Sequence, residues 1–307
     1  MAYVGGVEFQ NLAIMWGAGV CKTPAATKKP LESVSVVSGS YTPNPRAQNG
    51  GKVLYPETEE EFYKLGYAVN SYGMPNMGFV QARVEIDKLK PKNPLIISIA
   101  GFSVEDYVQG YEFWKSSTSV KALELNLGCP NTESKIICFD LKMMEKIFEK
   151  ISELSLDKPI WVKFSPYINE EEQPDYDMIY EVAKLVNDFR HVVSAVVTCN
   201  TVPNFNPGPG LITPNNGRGG KSGPAIRKIS LGQLMAFRDV INSDIDIINV
   251  GGIVTGNNIV ESLNKGAAGV QLTSMPFYCG NPRNFWDNLL DSDTGADLQG
   301  LLFSGII

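Results

Sequence analysis

Histidine is nearly absent: the 307 residues include one, His191. Serine–histidine triads and multi-histidine metal sites are thereby excluded. His191 itself, followed by the apolar Val192 and Val193, reads as a helix-to-strand boundary residue. Cysteine is scarce and shows no CxxC pairing; Cys21, Cys129, Cys138, Cys199 and Cys279 are odd in number. That argues against a disulfide framework or a structural zinc site, and it fits a reducing compartment such as the cytoplasm. No run of 18 apolar residues exists, so no membrane-spanning helix is expected. Met1–Gln10 lacks a basic segment followed by an apolar one, so no secretory signal is expected. Basic blocks are missing too. The formal charge is −6 and the pI about 5.1, which leaves nucleic acid no electrostatic footprint and reads as ordinary solubility.

What is present is a rhythm of short apolar runs: Leu12–Trp16, Val34–Val37, Leu95–Ala100, Ala122–Leu127, Ile160–Phe164, Val193–Thr198, Asp246–Val250 and Ala268–Leu272. Continuous runs of strand length, several rich in Val and Ile, suit parallel strands buried on both faces. Helical periodicity fills most gaps. Asp140–Leu154 places Leu141, Met144, Ile147, Phe148 and Ile151 on one face, and Asp175–Phe189 does the same with Met178, Ile179, Val182, Leu185 and Val186. A shorter segment, Ile259–Lys265, ends at Gly266, a plausible cap. Strands alternating with helices predict an α/β fold, a (β/α)8 TIM barrel forming one domain over 1–307. The alternative is an open doubly wound sheet. It would carry a glycine fingerprint after the first strand, and Gly17-Ala18-Gly19-Val20-Cys21-Lys22 does not complete one. Two connections, Gly39–Pro94 after the second strand and Asn200–Ser230 after the sixth, are too long for plain helices. They are expected to be active-site loops at the top of the barrel.

Barrel active sites lie at the carboxyl ends of the strands. There the sequence offers Gly17-Ala18-Gly19 leading to Lys22, then Asn126-Leu127-Gly128-Cys129-Pro130-Asn131, Lys163, Asn200-Thr201, Gly251-Gly252 and Thr273-Ser274. Gly251-Gly252 with Thr273-Ser274 occupies the usual phosphate position of the fold, where glycine amides and a helix start meet an anion; a bare tight turn would use the same pair. Gly219-Gly220-Lys221-Ser222-Gly223 could add amides to that phosphate. Cys129 sits between two asparagines, whose amides match an amide or imide edge of a substrate. A cysteine there could also be a buried filler, the reading given to Cys138, Cys199 and Cys279. Lys163, in an otherwise apolar strand, needs an anionic partner: a ligand edge or a buried carboxylate.

From about Val7 to Asn284 the chain resembles the dihydroorotate dehydrogenase family. The likeness rests on Asn70-Ser71-Tyr72-Gly73-Met74-Pro75-Asn76, the Asn126–Asn131 loop, Trp161-Val162-Lys163, Asn200-Thr201, Gly219–Gly223 and Val250-Gly251-Gly252. The resemblance implies FMN, held by Ala18, Gly19, Lys163, Gly223, Gly251, Gly252, Thr273 and Ser274. It implies a substrate site of Asn70, Gly73, Met74, Asn126, Asn131, Asn200 and Thr201, with Cys129, Lys22 and Lys163 catalytic. Class-1 members have a cysteine base, as here, and a substrate lysine after the second strand, where this chain reads Val37-Ser38-Gly39-Ser40. Ser38 is taken to stand at the lysine's place. Class-2 members have a serine base and place the lysine in Ala-Gly-x-x-Lys, which Ala18-Gly19-Val20-Cys21-Lys22 matches.

The implied reaction oxidises dihydroorotate to orotate in pyrimidine synthesis. Cys129 takes the C5 proton while hydride leaves C6 for flavin N5. A homodimer is implied by the resemblance. The acceptor that reoxidises the flavin, whether fumarate, NAD through an electron-transfer partner subunit, or oxygen, is open, and this chain carries no iron–sulfur cysteine cluster. Two other functions compete: an FMN enzyme acting on another pyrimidine or cyclic amide, like dihydropyrimidine dehydrogenase, and a flavin-free barrel binding a phosphorylated ligand.

Overall fold

A computed structural model of the protein describes residues 1–10, 12–129, 136–290 and 298–299. Eight parallel strands close into a barrel: β1 (Ala13–Trp16), β2 (Ser35–Tyr41), β3 (Leu95–Ile99), β4 (Ala122–Asn126), β5 (Ile160–Lys163), β6 (Val193–Val197), β7 (Asp246–Val250) and β8 (Gly269–Leu272). Each pairs with its sequence neighbours, and β8 returns to β1. The expected (β/α)8 barrel is therefore the fold, and the open sheet is ruled out. The runs matched the strands to within a residue or two, apart from β2. That strand continues through Ser38, Gly39 and Ser40 to Tyr41: Ser38 pairs with Ile97 of β3, the register shifts at Gly39 and Ser40, and pairing resumes between Tyr41 and Ile99.

The pleat sorts each strand's residues onto two layers. Ala13, Met15, Val37, Ala122, Trp161, Ala195 and Val197 fill the barrel, while Ile14, Trp16, Val36, Leu123, Val162 and Val196 face the surrounding helices. Along β4 the interior series runs Ala122, Glu124, Asn126, and along β5 it runs Trp161, Lys163. The barrel is thus apolar at the bottom and polar at the top. An antiparallel hairpin, Ala2–Val4 with Val7–Phe9, plugs the bottom with Ala2, Val4, Val7 and Phe9. The Trp161 indole NH donates to the Gly5 carbonyl at 2.8 Å and pins the hairpin there.

The helices at Leu141–Ser152 and Tyr176–Asp188 match their predicted faces. Each is capped by the aspartate just before it: the Asp140 side chain accepts from Met143 N, and Asp175 from Met178 N. The third helix begins earlier than its apolar pattern indicated, at Gly256–Asn264, because Thr255 and Asn258 form a capping box.

The two long connections fold together. Leu54–Tyr55 and Ala68–Asn70 from the first, with Val202–Phe205 and Gly219–Ser222 from the second, make one antiparallel sheet at the carboxyl end of the barrel. Lys221, nearly buried, donates to Glu172 at 2.7 Å, and Phe62 stacks on Tyr278 at 4.4 Å between ring centroids. Among the described residues no helix is long and apolar enough to cross a membrane.

Candidate active site

Between the strand ends and this sheet lies a cleft with about 1090 Å³ of empty space, solvent at its mouth included. Ala18, Gly19, Lys22, Asn70, Met74, Asn126, Cys129, Lys163, Asn200, Thr201, Gly223, Gly251, Gly252, Thr273 and Ser274 all line it. Residues drawn from seven strand ends and from both long loops thus converge on one space. Asn131 lies outside the described residues. Gly73 does not line the cleft: its φ of 79° turns the loop, and its α-carbon is packed against the Asn49 side chain. Of the glycine stretch only Ser222 and Gly223 reach the cleft, while Lys221 is spent on Glu172.

The asparagines are oriented before any ligand arrives. Asn200 Nδ2 donates to Asn126 Oδ1 at 3.1 Å, and Asn126 Nδ2 donates to Ser40 Oγ at 2.8 Å. Ser40 Oγ in turn pairs with Ser98 Oγ at 2.8 Å. Tyr107 Oη donates to the Asn126 carbonyl at 2.8 Å and holds the strand end that leads to Cys129. Thr201 Oγ1 is buried with no partner among the described residues, a hydroxyl left for a ligand.

Among the described residues, three charged side chains line the cleft: Lys22, Glu124 and Lys163. Lys163 Nζ lies 3.9 Å from Glu124 Oε1, so the buried-carboxylate alternative for this lysine is realised even though its head faces the cleft. Lys22 has no carboxylate within 4 Å among the described residues. Its ammonium sits over the Tyr72 ring, 3.2 Å from the centroid, and burial lowers its pKa to about 8. Among the described residues, the cleft thus carries one uncompensated positive charge. An anion bound there needs Lys22 protonated, so affinity for a small carboxylate ligand is expected to fall as pH rises through about 8. Ligand titrations from pH 6.5 to 9 would check this; a flat profile would detach Lys22 from the ligand.

Ser38 does not face the cleft, contrary to its assigned place. Its hydroxyl is buried outside the barrel, 2.7 Å from Thr27 Oγ1 and 2.9 Å from Tyr41 Oη. The cleft-facing positions are Gly39 and Ser40. A β-carbon at Gly39 would stand 2.7 Å from the Ser98 carbonyl, and φ there is 117°, so no lysine fits at Gly39. Cys199, read as filler, lines the cleft as well; burial pushes its thiol up to about 12, with Lys163 pulling the other way, which keeps it protonated. Glu124, Gln271, Ser40 and Tyr72 escaped the sequence reading. For Glu124 a signal existed, since it lies two residues before Asn126 on one strand face.

A family profile described as Dihydroorotate dehydrogenase matches residues 2–284. The chain belongs to the dihydroorotate dehydrogenase family. Among its relatives, the catalytic subunit of dihydroorotate dehydrogenase B (NAD(+)) from Endomicrobium trichonymphae is 32% identical over 250 residues, 78% of this chain and 73% of the relative. The dihydroorotate dehydrogenase (fumarate) of Lachancea kluyveri is 31% identical over 227 residues, 71% of this chain and 69% of that protein. In structure, the chain resembles the Eimeria tenella DHODH solved with ferulenol, with a TM-score of 0.75 and 17% identity, covering 98% of this chain and 87% of that one. This last likeness concerns the fold.

Dihydroorotate dehydrogenases use FMN, and the cleft fits it. Ala18, Cys199 and Val250, all small and part of the inner core, give a floor on which a planar ring can lie. Gly251 and Gly252 line the cleft with φ of 116° and 68°, backbone conformations that favour glycine. Their α-carbons face inward on the protein: a β-carbon would stand 3.0 Å from Ser230 Cβ at Gly251 and 2.7 Å from Arg227 N at Gly252. The glycines are therefore required by backbone shape and close packing, rather than by a phosphate touching the α-carbon. Gly251→Val is expected to cost about 1–3 kcal/mol of local strain and to lower FMN content after desalting, while circular dichroism keeps the barrel signature. Full FMN retention would place the phosphate elsewhere.

Proposed function

We propose that this chain oxidises dihydroorotate to orotate in pyrimidine synthesis, with FMN in the cleft and Cys129 as base. The observation that carries this reading is the charge pattern of the cleft: among the described residues one uncompensated ammonium, Lys22, shares the space with the linked amides of Asn126 and Asn200. A flat cyclic diamide with a carboxylate is the complement of that set. Lys22 holds the carboxylate. Asn70, Asn126 and Asn200 take the ring's donors and acceptors without adding charge, and Thr201 offers its unpartnered hydroxyl.

Cys129 removes the C5 proton from the face of the substrate turned to the loop. FMN, held by Ala18, Gly19, Gly223, Gly251, Gly252, Thr273 and Ser274, supplies the acceptor for the C6 hydride. Lys163, whose ammonium lines the cleft, would supply a fixed cation to a bound flavin ring and so favour its reduced form. The sheet built from both long loops contributes Asn70 and Ser222 to the wall of the cleft, which narrows the access of water to a bound ring. The flavin-free alternative loses ground to the family match, and a neutral cyclic amide would leave Lys22 without an anion.

The test is anaerobic titration of the purified protein while flavin absorbance is followed. Bleaching by dihydroorotate and not by dihydrouracil is the expected result. A colourless protein, or equal bleaching by both, overturns the reading. On partners, the relatives include a catalytic subunit and a fumarate enzyme, and we extend reoxidation by fumarate or through an electron-transfer subunit to this chain; a homodimer is what the family resemblance implies.

A further inference from the structure

Beneath the cleft lies a buried chain of three polar side chains. Gln271 bridges the other two: its Oε1 accepts from Lys163 Nζ at 3.0 Å, and its Nε2 donates to Glu124 Oε2 at 2.6 Å. The ammonium and the carboxylate do not touch, since Lys163 Nζ is 3.9 Å from Glu124 Oε1 and that oxygen has no hydrogen-bond partner. Glu124 is 0% exposed. An ammonium has three N–H groups, and among the described residues Lys163 commits only one of them, to Gln271.

This arrangement is poorly explained by stability. Burying a carboxylate in a barrel costs several kcal/mol, and a well-packed apolar residue is often as good or better in such a place. A direct ion pair would at least satisfy both charges. Here an amide is wedged between them, which leaves the lysine's remaining donors available to the cleft and keeps its charge compensated from below.

We propose that Gln271 and Glu124 are positioning residues for Lys163: Gln271 holds the ammonium up toward the flavin ring, and Glu124 sets the net charge beneath that ring near zero instead of +1. The proposal rests on the FMN reading above. Its consequence is electrostatic and has a sign. Negative charge that collects on a reduced ring is stabilised by Lys163 and opposed by Glu124. Removing the carboxylate therefore favours reduction. Removing the amide wedge lets ammonium and carboxylate close into a direct pair, which draws the cation away from the ring and disfavours reduction.

The experiment measures the two-electron reduction potential and the FMN content of the holoenzyme for the parent, Glu124→Gln and Gln271→Leu. Glu124→Gln is expected to stabilise the reduced form at least about tenfold, an upward shift of about 30 mV for a two-electron couple. Gln271→Leu is expected to shift the potential downward and to weaken FMN retention. Opposite signs from two adjacent substitutions are not what general loosening of the core produces. Unmoved potentials, or shifts of the same sign in both variants, overturn the proposal, as does a fall in apoprotein thermal midpoint with the potentials unchanged. If Glu124→Gln does not fold, Gln271→Leu decides alone: a downward shift supports the proposal and any other result overturns it. A protein that takes up no flavin refutes the proposed function, whereas flavin uptake with unmoved potentials refutes this inference only.

Discussion

Replacing Cys129 by serine is expected to leave FMN bound and to slow flavin reduction by dihydroorotate about 10²–10⁴-fold near pH 7, the range a positioned base contributes. Cys129 lines the cleft on a loop whose root is held by the Tyr107 bond to the Asn126 carbonyl, and serine is nearly isosteric. The variant should therefore keep its geometry and lose only acidity. An ordinary thiol with a pKa of about 8.5 is already a few per cent thiolate at neutral pH, whereas a serine hydroxyl is a far weaker acid. Activity should return as the pH rises. Stopped-flow reduction across pH 6 to 10 separates the cases, and an unchanged rate at pH 7 would remove Cys129 from the mechanism. The other cleft cysteine does not replace it, because burial holds the Cys199 thiol near 12.

Lys22→Ala is expected to leave the protein yellow and to weaken dihydroorotate binding about ten- to a hundred-fold, the worth of a charge-assisted hydrogen bond of roughly 1.5–3 kcal/mol. The loss should approach the upper end, because among the described residues no other free cation lines the cleft. Lys163 is compensated by Glu124, and the end of β2 offers only Gly39 and Ser40. Lys28, exposed at the end of the helix Pro24–Lys28, is the control, and Lys28→Ala should behave as the parent. The readout is the dihydroorotate concentration that half-reduces the flavin anaerobically. If Lys22→Ala matches the parent, the cation that receives the carboxylate is another one, and an uncharged ring becomes the better substrate.

The fold was legible because it rests on composition repeated along the chain. Buried parallel strands must be apolar on both faces, and eight such runs with helical periodicity between them leave few other architectures. Strand-end residues such as Cys129, Lys163 and Gly251 were legible for a related reason: in a barrel, the end of every strand points to the same place. The resemblance then supplied the roles that position alone does not.

Other features were hidden for physical reasons that can be named. Ser38 and Gly39 are adjacent in sequence, yet one faces the helices and the other the cleft. A register error of one residue reverses that assignment, which is how Ser38 came to be read as a cleft position. Glu124 and Gln271 lie inside apolar strands 147 residues apart, so no local pattern links them; closure of the barrel puts their side chains 2.6 Å apart. The same holds for Tyr72 and Lys22, one on a loop after β2 and the other after β1, joined when the two long connections pair into a sheet. By itself, then, the sequence determined the barrel, the end of it that works, and the residue types gathered there, because hydrophobic periodicity and strand order are local properties. The tertiary structure decided which charges cancel and which stays free. Compensation between ions depends on distances of a few ångströms across the barrel, and those exist only once the chain has closed on itself.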